Sequence, residues 1–355
     1  MNLSCGIVGL PNVGKSTLFN ALLAKQAAEA SNYPFCTIEP NVGIVAVPDC
    51  RLPVLADIVH TEKIVPSVVK FVDIAGLIKG ASSGEGLGNK FLSHIREVAI
   101  IIHVLRAFHD ENVIKTGETP EDDYETVVTE LCLADLQTLT KQKEPKMSKD
   151  KSEVNRWQAI VKLRKMLESG KEARHTSLSS EEQELTKDLF LLTSKPVIHV
   201  INIDEKDYSK IDTIIDQYKG KNWEVVPICA KIEEELISMS ETEKREYLKE
   251  LGVSESGLER LISKAFDTLN LQSFLTAGEK EVRAWTIKKN TKAPQAAGEI
   301  HTDFEKKFIK AQISTYTDFV EYKGWKTLKE IGKVRIEGKD YVMKDNDVVE
   351  FMIGK

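Results

Sequence analysis

The sequence predicts an α/β protein: a doubly wound parallel sheet, an inserted antiparallel helical hairpin and a small C-terminal module of mixed α/β character. A glycine-rich motif at 9–17 lies between an apolar run and a helix-favouring stretch. β-rich and helical patterns then alternate, which is typical of a parallel sheet with crossover helices. The alternation is interrupted between Leu105 and Lys195, and the pattern changes again after Leu271.

The strands of the parallel sheet are predicted from apolar runs rich in β-branched residues. The first run, Leu3 to Val8, precedes the glycine-rich motif, and a helical stretch from Ser16 to Lys25 follows it. Further strands are predicted at Val42–Val47, Val68–Asp73, Ala99–Leu105, Pro196–Asn202 and Glu224–Cys229. Helical patterns between several of these runs supply the crossovers that parallel strands require.

The segment between Leu105 and Lys195, which interrupts this alternation, is long, polar and rich in helix-favouring residues. Tyr124–Gln142 carries apolar residues mostly three and four apart, and Trp157–Leu167 repeats the spacing. A Glu-Pro step and a Lys/Ser-rich run at 144–152 predict the turn between the two helices. We therefore predict an antiparallel, coiled-coil-like hairpin that is inserted into the sheet domain, with Ser180–Leu192 leading back to the sheet.

The residues after Leu271 form a predicted small domain of their own. Its expected elements are a strand at Val282–Ile287, a short helix at Asp303–Ala311, a hairpin within Lys333–Val342 and a last strand at Val348–Ile353. The predicted domains are therefore 1–119 with 195–271 for the parallel sheet, 120–194 for the inserted hairpin, and 272–355 for the C-terminal module.

Composition restricts the class of protein. The chain has 355 residues, of which 41% are hydrophobic and 29% charged, so it can bury the cores of two or three globular domains. Its five cysteines include no C-x-x-C pair, which argues against a disulfide framework and a zinc site. No apolar run approaches the roughly 20 residues that span a membrane. We expect a cytoplasmic protein without a membrane partner.

Charge is unevenly distributed along the chain. The net charge is −6, which gives no global nucleic-acid signature. Residues Lys141–His175 nevertheless contain eleven Lys/Arg and five Asp/Glu, a local excess of positive charge. This stretch is either a solvated helical face or a basic arm for an anionic partner such as RNA.

The glycine-rich motif Gly-Leu-Pro-Asn-Val-Gly-Lys-Ser-Thr at 9–17 fits the phosphate-binding pattern G-x-x-x-x-G-K-[ST]. Its strand–loop–helix context favours that interpretation over a simple glycine turn. We expect Lys15 to reach the outer phosphates of a nucleoside triphosphate and to face solvent in the empty loop, and Ser16 to ligate Mg²⁺. The predicted phosphate-binding residues are Asn12, Val13, Gly14, Lys15, Ser16 and Thr17.

Two further motifs complete a predicted triphosphate site. Asp73-Ile74-Ala75-Gly76 ends the third strand, where D-x-x-G is the usual γ-phosphate sensor of GTPase-type proteins. Asp73 is expected to hold Mg²⁺ through water, and the Gly76 N–H to contact the γ-phosphate. Thr37 lies between the first helix and the second strand, so it either completes the Mg²⁺ shell or is an ordinary loop threonine.

These motifs resemble the Obg-like ATPases, the YchF family. The resemblance rests on segments 9–17, 33–41 (Tyr-Pro-Phe-Cys-Thr-Ile-Glu-Pro-Asn) and 73–81 (Asp-Ile-Ala-Gly-Leu-Ile-Lys-Gly-Ala), and it continues through 84–89 and the inserted helices. It ends in a module similar to a TGS domain and so covers essentially the whole chain. It implies a P-loop NTPase sheet with a coiled-coil insertion and a β-grasp-like C-terminal domain.

The base-reading motif determines which nucleotide is expected. Asn202-Ile203-Asp204-Glu205 stands where GTPases have N-K-x-D, so Ile replaces Lys and Glu replaces the guanine-reading Asp. Chemistry alone predicts lost guanine preference, not gained adenine preference. The resemblance adds an ATP preference with weaker GTP use, base contacts from Asn202, Ile203 and Glu205, and a second base contact from Cys229 and Ala230.

The residue that orients the attacking water is not apparent. Many GTPases use a Gln just after D-x-x-G, and this chain has Leu77 there. His109 is the nearest imidazole and is either catalytic or a loop histidine, so the catalytic candidates are Lys15, Gly76 and His109.

The expected function is a Mg²⁺-dependent, slowly turning ATPase that acts as a nucleotide-gated switch. The resemblance implies the ribosome as partner, with RNA contacts through 141–175 and the TGS-like domain. Two alternatives remain: a ribosome- or RNA-binding module in which hydrolysis is incidental, and a GTP-preferring translation GTPase.

Overall fold

The computed structural model describes residues 3–29, 41–74, 87–109, 119–145, 150–221 and 223–354. The chain divides into two compact units. The first contains the described residues of 1–23, 39–43 and 70–261, and the second contains those of 24–38, 44–69 and 262–355. Among the described helices, none is long and apolar enough to cross a lipid bilayer.

The described residues form twelve β-strands. They are β1 Ser4–Val8, β2 Val42–Ala46, β3 Ile64–Val65, β4 Val68–Asp73, β5 Ile100–Arg106, β6 Val197–Asn202, β7 Val225–Ile228, β8 Leu271–Ala277, β9 Val282–Lys288, β10 Phe308–Thr315, β11 Arg335–Glu337 and β12 Asp347–Ile353.

Fourteen α-helices accompany these strands in the described part of the chain. They are α1 Lys15–Glu29, α2 Arg51–Val59, α3 Leu87–Glu97, α4 Pro120–Thr140, α5 Lys151–Glu168, α6 Ser180–Thr186, α7 Ile211–Lys219, α8 Ala230–Ile237, α9 Glu241–Glu250, α10 Gly257–Thr268, α11 Ala293–Ile300, α12 Thr302–Lys306, α13 Tyr316–Glu321 and α14 Trp325–Glu330.

One six-stranded sheet has the order β2-β4-β1-β5-β6-β7. β1 pairs in parallel with β4 and β5, and β5–β6 and β6–β7 are parallel as well. Every residue of β1 and β5 is buried, which agrees with the near-continuous apolar runs that parallel strands need. The α/β prediction is therefore confirmed. Because parallel strands end at one edge, the segments that follow β1, β5, β6 and β7 lie together there.

The predicted inserted helices are α4 and α5, which share one apolar core. The core contains Val128, Cys132, Leu139, Ile160, Leu163 and Leu167. Thr119 starts α4 with a reciprocal capping box to Asp122, and the Asp150 side chain caps α5. The fully buried Asp135 carboxylate accepts hydrogen bonds from the Leu192 and Thr193 amides at 2.8 Å each, which fixes α4 to the chain that returns to β6.

A cluster of aromatic rings, two of them buried and two partly buried, joins this insertion to the sheet. Tyr124 of α4 stacks on His103 of β5, with ring centroids 5.9 Å apart, and Trp223 lies 4.5 Å from both Tyr124 and His199 of β6. Burial, with a smaller contribution from the positive charge of Arg174, lowers the pKa of His199 to about 3. His199 is therefore neutral at physiological pH and packs as an aromatic residue.

The second unit is built on a mixed sheet of order β11-β10-β12-β8-β9-β3. β8–β9, β10–β11 and β10–β12 are antiparallel, whereas β12–β8 and β3–β9 are parallel. One side buries Leu52 and Leu55 of α2 with Phe319 of α13, and the other buries the alanines of α11. Sequence analysis did not predict that β3 pairs with this sheet or that α2 packs against it. The three-domain division stays a prediction.

Two sequence-based predictions in this unit are wrong. The predicted hairpin within 333–342 does not form, because β11 pairs with β10 and Val342 instead makes an isolated bridge to Lys292. The predicted helix at 303–311 ends at Lys306, and β10 begins at Phe308. Phe308, Ala311 and Ile313 are buried against α11, so tertiary burial determines a strand where the local sequence favours a helix.

Candidate nucleotide site

A cleft of about 1040 Å³ opens where the segments after β1, β5, β6 and β7 meet. It lies at the carboxyl edge of the parallel sheet, the usual ligand position in open α/β folds. Its lining contains most of the predicted site residues, namely Asn12, Gly14, Lys15, Ser16, Thr17, His109, Asn202, Ile203, Glu205, Cys229 and Ala230. Thr37 and Gly76 lie outside the described residues.

The loop at 9–17 takes a backbone conformation that depends on specific residues. Gly14 has φ +97°, and a Cβ added there would lie 2.2 Å from Nδ2 of Asn202. Asn12 has φ +63°, a region that Asn tolerates better than most residues. Glycine at position 14 is therefore required both by backbone geometry and by the close approach of Asn202.

Lys15 begins α1 and is only 8% exposed. Its Nζ donates a hydrogen bond to the Leu10 carbonyl at 2.5 Å, within the same loop. Burial lowers the pKa of Lys15, and the negative charge of Asp73 partly opposes that effect. The expectation that Lys15 faces solvent is wrong, because a desolvated ammonium needs an acceptor and the loop supplies a carbonyl.

Asp73 ends β4 close enough to Lys15 for their charges to interact. Its Oδ1 is buried and has no hydrogen-bond partner among the described residues. Burial raises the pKa of Asp73, although Lys15 lowers it in part. A buried carboxylate oxygen without a partner fits a hard divalent cation or water bound to one, and the exposed Ser16 hydroxyl in the same region is a compatible ligand.

Protein side chains alone do not form a metal cage here. Within the described ranges, no group of three or more His, Cys, Asp or Glu side chains is arranged to hold an ion. A Mg²⁺ site would not require such a group, because Mg²⁺ ordinarily takes one or two protein ligands and completes its shell with water and substrate phosphates.

Asn202 connects two walls of the cleft. Asn202 is only 6% exposed. Its Nδ2 donates a hydrogen bond to the Val13 carbonyl at 3.0 Å, and its Oδ1 accepts one from the Ala230 amide at 3.1 Å. The carboxamide thus ties the phosphate-binding loop to the N-terminal end of α8. Val13 itself does not line the cleft: its side chain is buried, and its carbonyl serves as the anchor for Asn202.

The remaining residues of the base-reading motif differ in accessibility. Ile203 is 3% exposed, its amide donates to the Ile228 carbonyl at 2.8 Å, and its side chain packs in a core with Leu105 and Tyr208. Glu205 is exposed at the start of a 3₁₀ turn, Glu205–Lys210. A lysine at position 203 would therefore have to leave an apolar core, which explains physically why isoleucine suits this backbone.

Cys229 and Ala230 form the opposite wall, at the start of α8. Both residues are buried, and burial raises the pKa of the Cys229 thiol. The cleft is also lined by residues that the motifs do not identify: Phe108, Lys206, Glu234 and Leu251. They follow β5 or belong to loops and helices whose positions depend on tertiary structure, so no local sequence signal identifies them.

His109 lines the cleft with an exposed side chain. Its backbone amide donates to Oδ2 of Asp204 at 3.2 Å. The structure therefore brings His109 to the nucleotide cleft, and its catalytic role stays a prediction.

Comparisons with known proteins agree with this geometry. A family model described as "50S ribosome-binding GTPase" matches residues 4–134. The YchF GTPase C-terminal family model, described as "Protein of unknown function (DUF933)", matches residues 271–354.

Individual relatives match along the full length. The chain is 49% identical over 363 residues to the "Ribosome-binding ATPase YchF" of Bacillus subtilis (strain 168), with 99% of each chain covered. It is 48% identical over 362 residues to the protein of that name from Escherichia coli O157:H7, again with 99% of each covered. The solved YchF GTPase of Schizosaccharomyces pombe has a TM-score of 0.87 and 38% identity, covering 99% of this chain and 98% of that one.

Proposed function

The chain belongs to the YchF family, and from this premise we propose that it hydrolyses ATP in the described cleft and acts as a nucleotide-gated, ribosome-associated switch. The observation that carries the proposal is Asn202. It joins a phosphate-binding loop to the base-reading loops in one cleft, so that phosphate and base can be bound together. The names of the relatives with near-complete coverage support the ATPase and ribosome parts of the proposal.

The phosphate end of the cleft supplies positive charge and amide donors. We assign phosphate binding to Lys15 and to the amides of 12–17, because a loop that opens a helix presents N–H groups to an anion. Lys15 would exchange its bond to the Leu10 carbonyl for a charge-assisted bond to phosphate. His109 is our candidate for orienting the attacking water. For Gly76, the contact of its N–H with the γ-phosphate is proposed from the D-x-x-G motif alone.

We propose Mg²⁺ as the cofactor, held by Ser16, Thr37 and, through water, Asp73. The partnerless Oδ1 of Asp73 supports this assignment. When bound, Mg²⁺ would neutralise charge on the outer phosphates during transfer to water. Lys15, together with the cation that Asp73 would hold through water, would offset the negative charge of the outer phosphates.

We propose that ATP is preferred and that GTP is bound more weakly. Ile203 gives the motif no lysine to lie over a guanine base, and the longer Glu205 replaces the Asp that reads guanine donors. A site that leaves guanine's hydrogen-bond donors without matched acceptors loses its preference for guanine. The preference for ATP is supported by the relatives with near-complete coverage, which are named ATPases.

The basic stretch is partly neutralised within the insertion. Lys162 pairs with Glu182 at 2.6 Å, Arg156 with Asp188 at 2.5 Å, and Arg164 donates to the Leu139 carbonyl at 3.0 Å. These cations hold the insertion together and are poor candidates for partner contacts. The described lysines that remain exposed, without an ion pair in this part of the structure, are Lys141, Lys143, Lys151, Lys165 and Lys171.

We propose that these exposed lysines contact ribosomal RNA and that the C-terminal unit provides a second contact. Reversing Lys143, Lys151 and Lys165 to Glu should weaken co-sedimentation with ribosomes and flatten its salt dependence, since each lost phosphate contact removes released counterions. ATP hydrolysis without ribosomes should stay at the wild-type rate, because these residues lie outside the cleft.

A control with the same change in net charge reverses Lys219, Lys244 and Lys249 of the sheet domain. Because Lys219 pairs with Asp216 at 2.5 Å and Lys244 with Glu241 at 2.8 Å, the melting temperatures of the two triple variants are compared as well. Equal loss in both triple variants would mean that net charge alone matters and would contradict the assigned surface. Wild-type co-sedimentation should also differ between a non-hydrolysable ATP analogue and ADP. Equal binding in both states would favour a binding module in which hydrolysis is incidental.

A further inference from the structure

The segment that follows β5 is held to the segment that follows β6 by two contacts. The Ala107 amide donates to the Asn202 carbonyl at 2.8 Å, which continues the parallel ladder one step beyond β5. In a regular ladder the next bond would run from the His109 amide to the Asp204 carbonyl. Here the Asp204 carboxylate takes that place, with Oδ2 accepting from the His109 amide at 3.2 Å.

The orientation of the Asp204 side chain is unusual for its position. Asp204 is the N-cap residue of the 3₁₀ turn Glu205–Lys210 and has an extended backbone, yet its side chain caps no amide of that turn. An Asp at an N-cap ordinarily accepts from an amide two or three residues ahead. Instead, its Oδ2 faces the His109 amide and Lys206 Nζ, the latter at 3.4 Å.

The bond joins residues that line the nucleotide cleft. Phe108 and His109 form one part of its wall, and Asp204, Glu205 and Lys206 form the adjacent part. Asp204 stands at the variable position x of the N-K-x-D motif of GTPases, so the motif itself gives it no role. The side chain is 26% exposed, so its hydrogen bond is partly shielded from water.

We propose that Asp204 is a positioning residue that fixes the Phe108–His109 wall and thereby sets nucleotide affinity. The inference rests on the proposed ATP site. Without the carboxylate, the His109 amide loses its acceptor and the wall loses the bond that continues the ladder. ATP and ADP should then bind more weakly to a similar extent, because the wall is formed by the segments after β5 and β6 and not by the phosphate-binding loop.

The test compares Asp204→Ala and Asp204→Asn with Asp207→Ala as a matched control. Asp207 is an acidic residue of the same 3₁₀ turn that pairs with Lys210 at 2.8 Å and does not line the cleft. Asp204→Ala should raise Kd for ATP and for ADP by about threefold to tenfold, and kcat should fall because the released wall carries His109, the candidate for orienting water. Asp204→Asn keeps an acceptor oxygen and should recover most of the affinity, whereas Asp207→Ala should match the wild type.

A second measurement is independent of nucleotide. Native-state hydrogen exchange at the His109 amide should be faster in Asp204→Ala than in the wild type and Asp207→Ala. Unchanged exchange, wild-type Kd values for both ATP and ADP, or an Asn variant as weak as the Ala variant would each overturn the proposal. A wild-type protein that fails to bind ATP would instead refute the proposed function, and the exchange result would still decide whether Asp204 holds His109.

Discussion

Lys15→Ala should abolish measurable ATP hydrolysis and weaken ATP binding by about 10-fold to 150-fold, which corresponds to about 1.5–3 kcal/mol. The expected loss is large because Lys15 is buried beside the cleft, where a charge-assisted bond to phosphate is worth about 1.5–3 kcal/mol. Isothermal titration with ATP and a phosphate-release assay measure the two effects.

The fold should tolerate this change. Truncation leaves the Leu10 carbonyl without its partner but also removes a desolvated ammonium whose pKa burial has lowered. The melting temperature should therefore shift little relative to Lys165→Ala, an exposed lysine of the insertion that serves as control. An ATP affinity equal to that of the wild type would refute the phosphate-site assignment.

Gly14→Ala should weaken ATP binding more than tenfold and lower stability by about 2–4 kcal/mol. A methyl group at this position would meet Nδ2 of Asn202 at 2.2 Å, and the φ of +97° adds strain. Relief requires displacement of Asn202, which breaks its bonds to the Val13 carbonyl and the Ala230 amide. Chemical denaturation and ATP titration measure the two losses.

Gly170→Ala is a matched control for backbone strain. Gly170 has φ +75°, and an added Cβ would meet nothing within 4 Å. It should cost about 1–2 kcal/mol of stability and leave ATP affinity unchanged. In a double-mutant cycle, Asn202→Ala should remove the clash, so the Gly14 and Asn202 effects should be less than additive. Strict additivity, or equal effects of the two glycine changes, would contradict the packing of Asn202 against Gly14.

The sequence predicted the parallel sheet well because its strands are apolar runs rich in β-branched residues, and the central strands β1 and β5 are buried throughout. Val68–Asp73 matches β4 residue for residue, and the other predicted strands of this sheet differ from the observed ones by at most one residue at either end. The second unit was harder to predict. β11 has three residues and pairs with β10, and β3 has two residues and pairs with β9. Short strands whose partners lie far along the chain leave no local pattern.

In the candidate site, too, local motifs predicted some features, whereas other features depend on contacts between residues far apart in the sequence. The motif at 9–17 predicted a loop whose residues line the cleft but not the inward orientation of Lys15, which depends on burial. Asp204 lies within a recognised motif, yet its partner His109 is 95 residues away, so their contact follows only from the pairing of β5 with β6.

The most direct test of the central claim is calorimetric titration of nucleotide-free wild-type protein with ATP, GTP and their diphosphates in the presence of Mg²⁺. We expect ATP to bind at least as tightly as GTP, and we expect the binding heats of both nucleotides to disappear in Lys15→Ala. Glu205→Asp, which shortens the carboxylate by one methylene, should shift the preference towards GTP. Tenfold tighter binding of GTP to the wild type would contradict the assignment of Asn202–Glu205 and the proposed ATPase function.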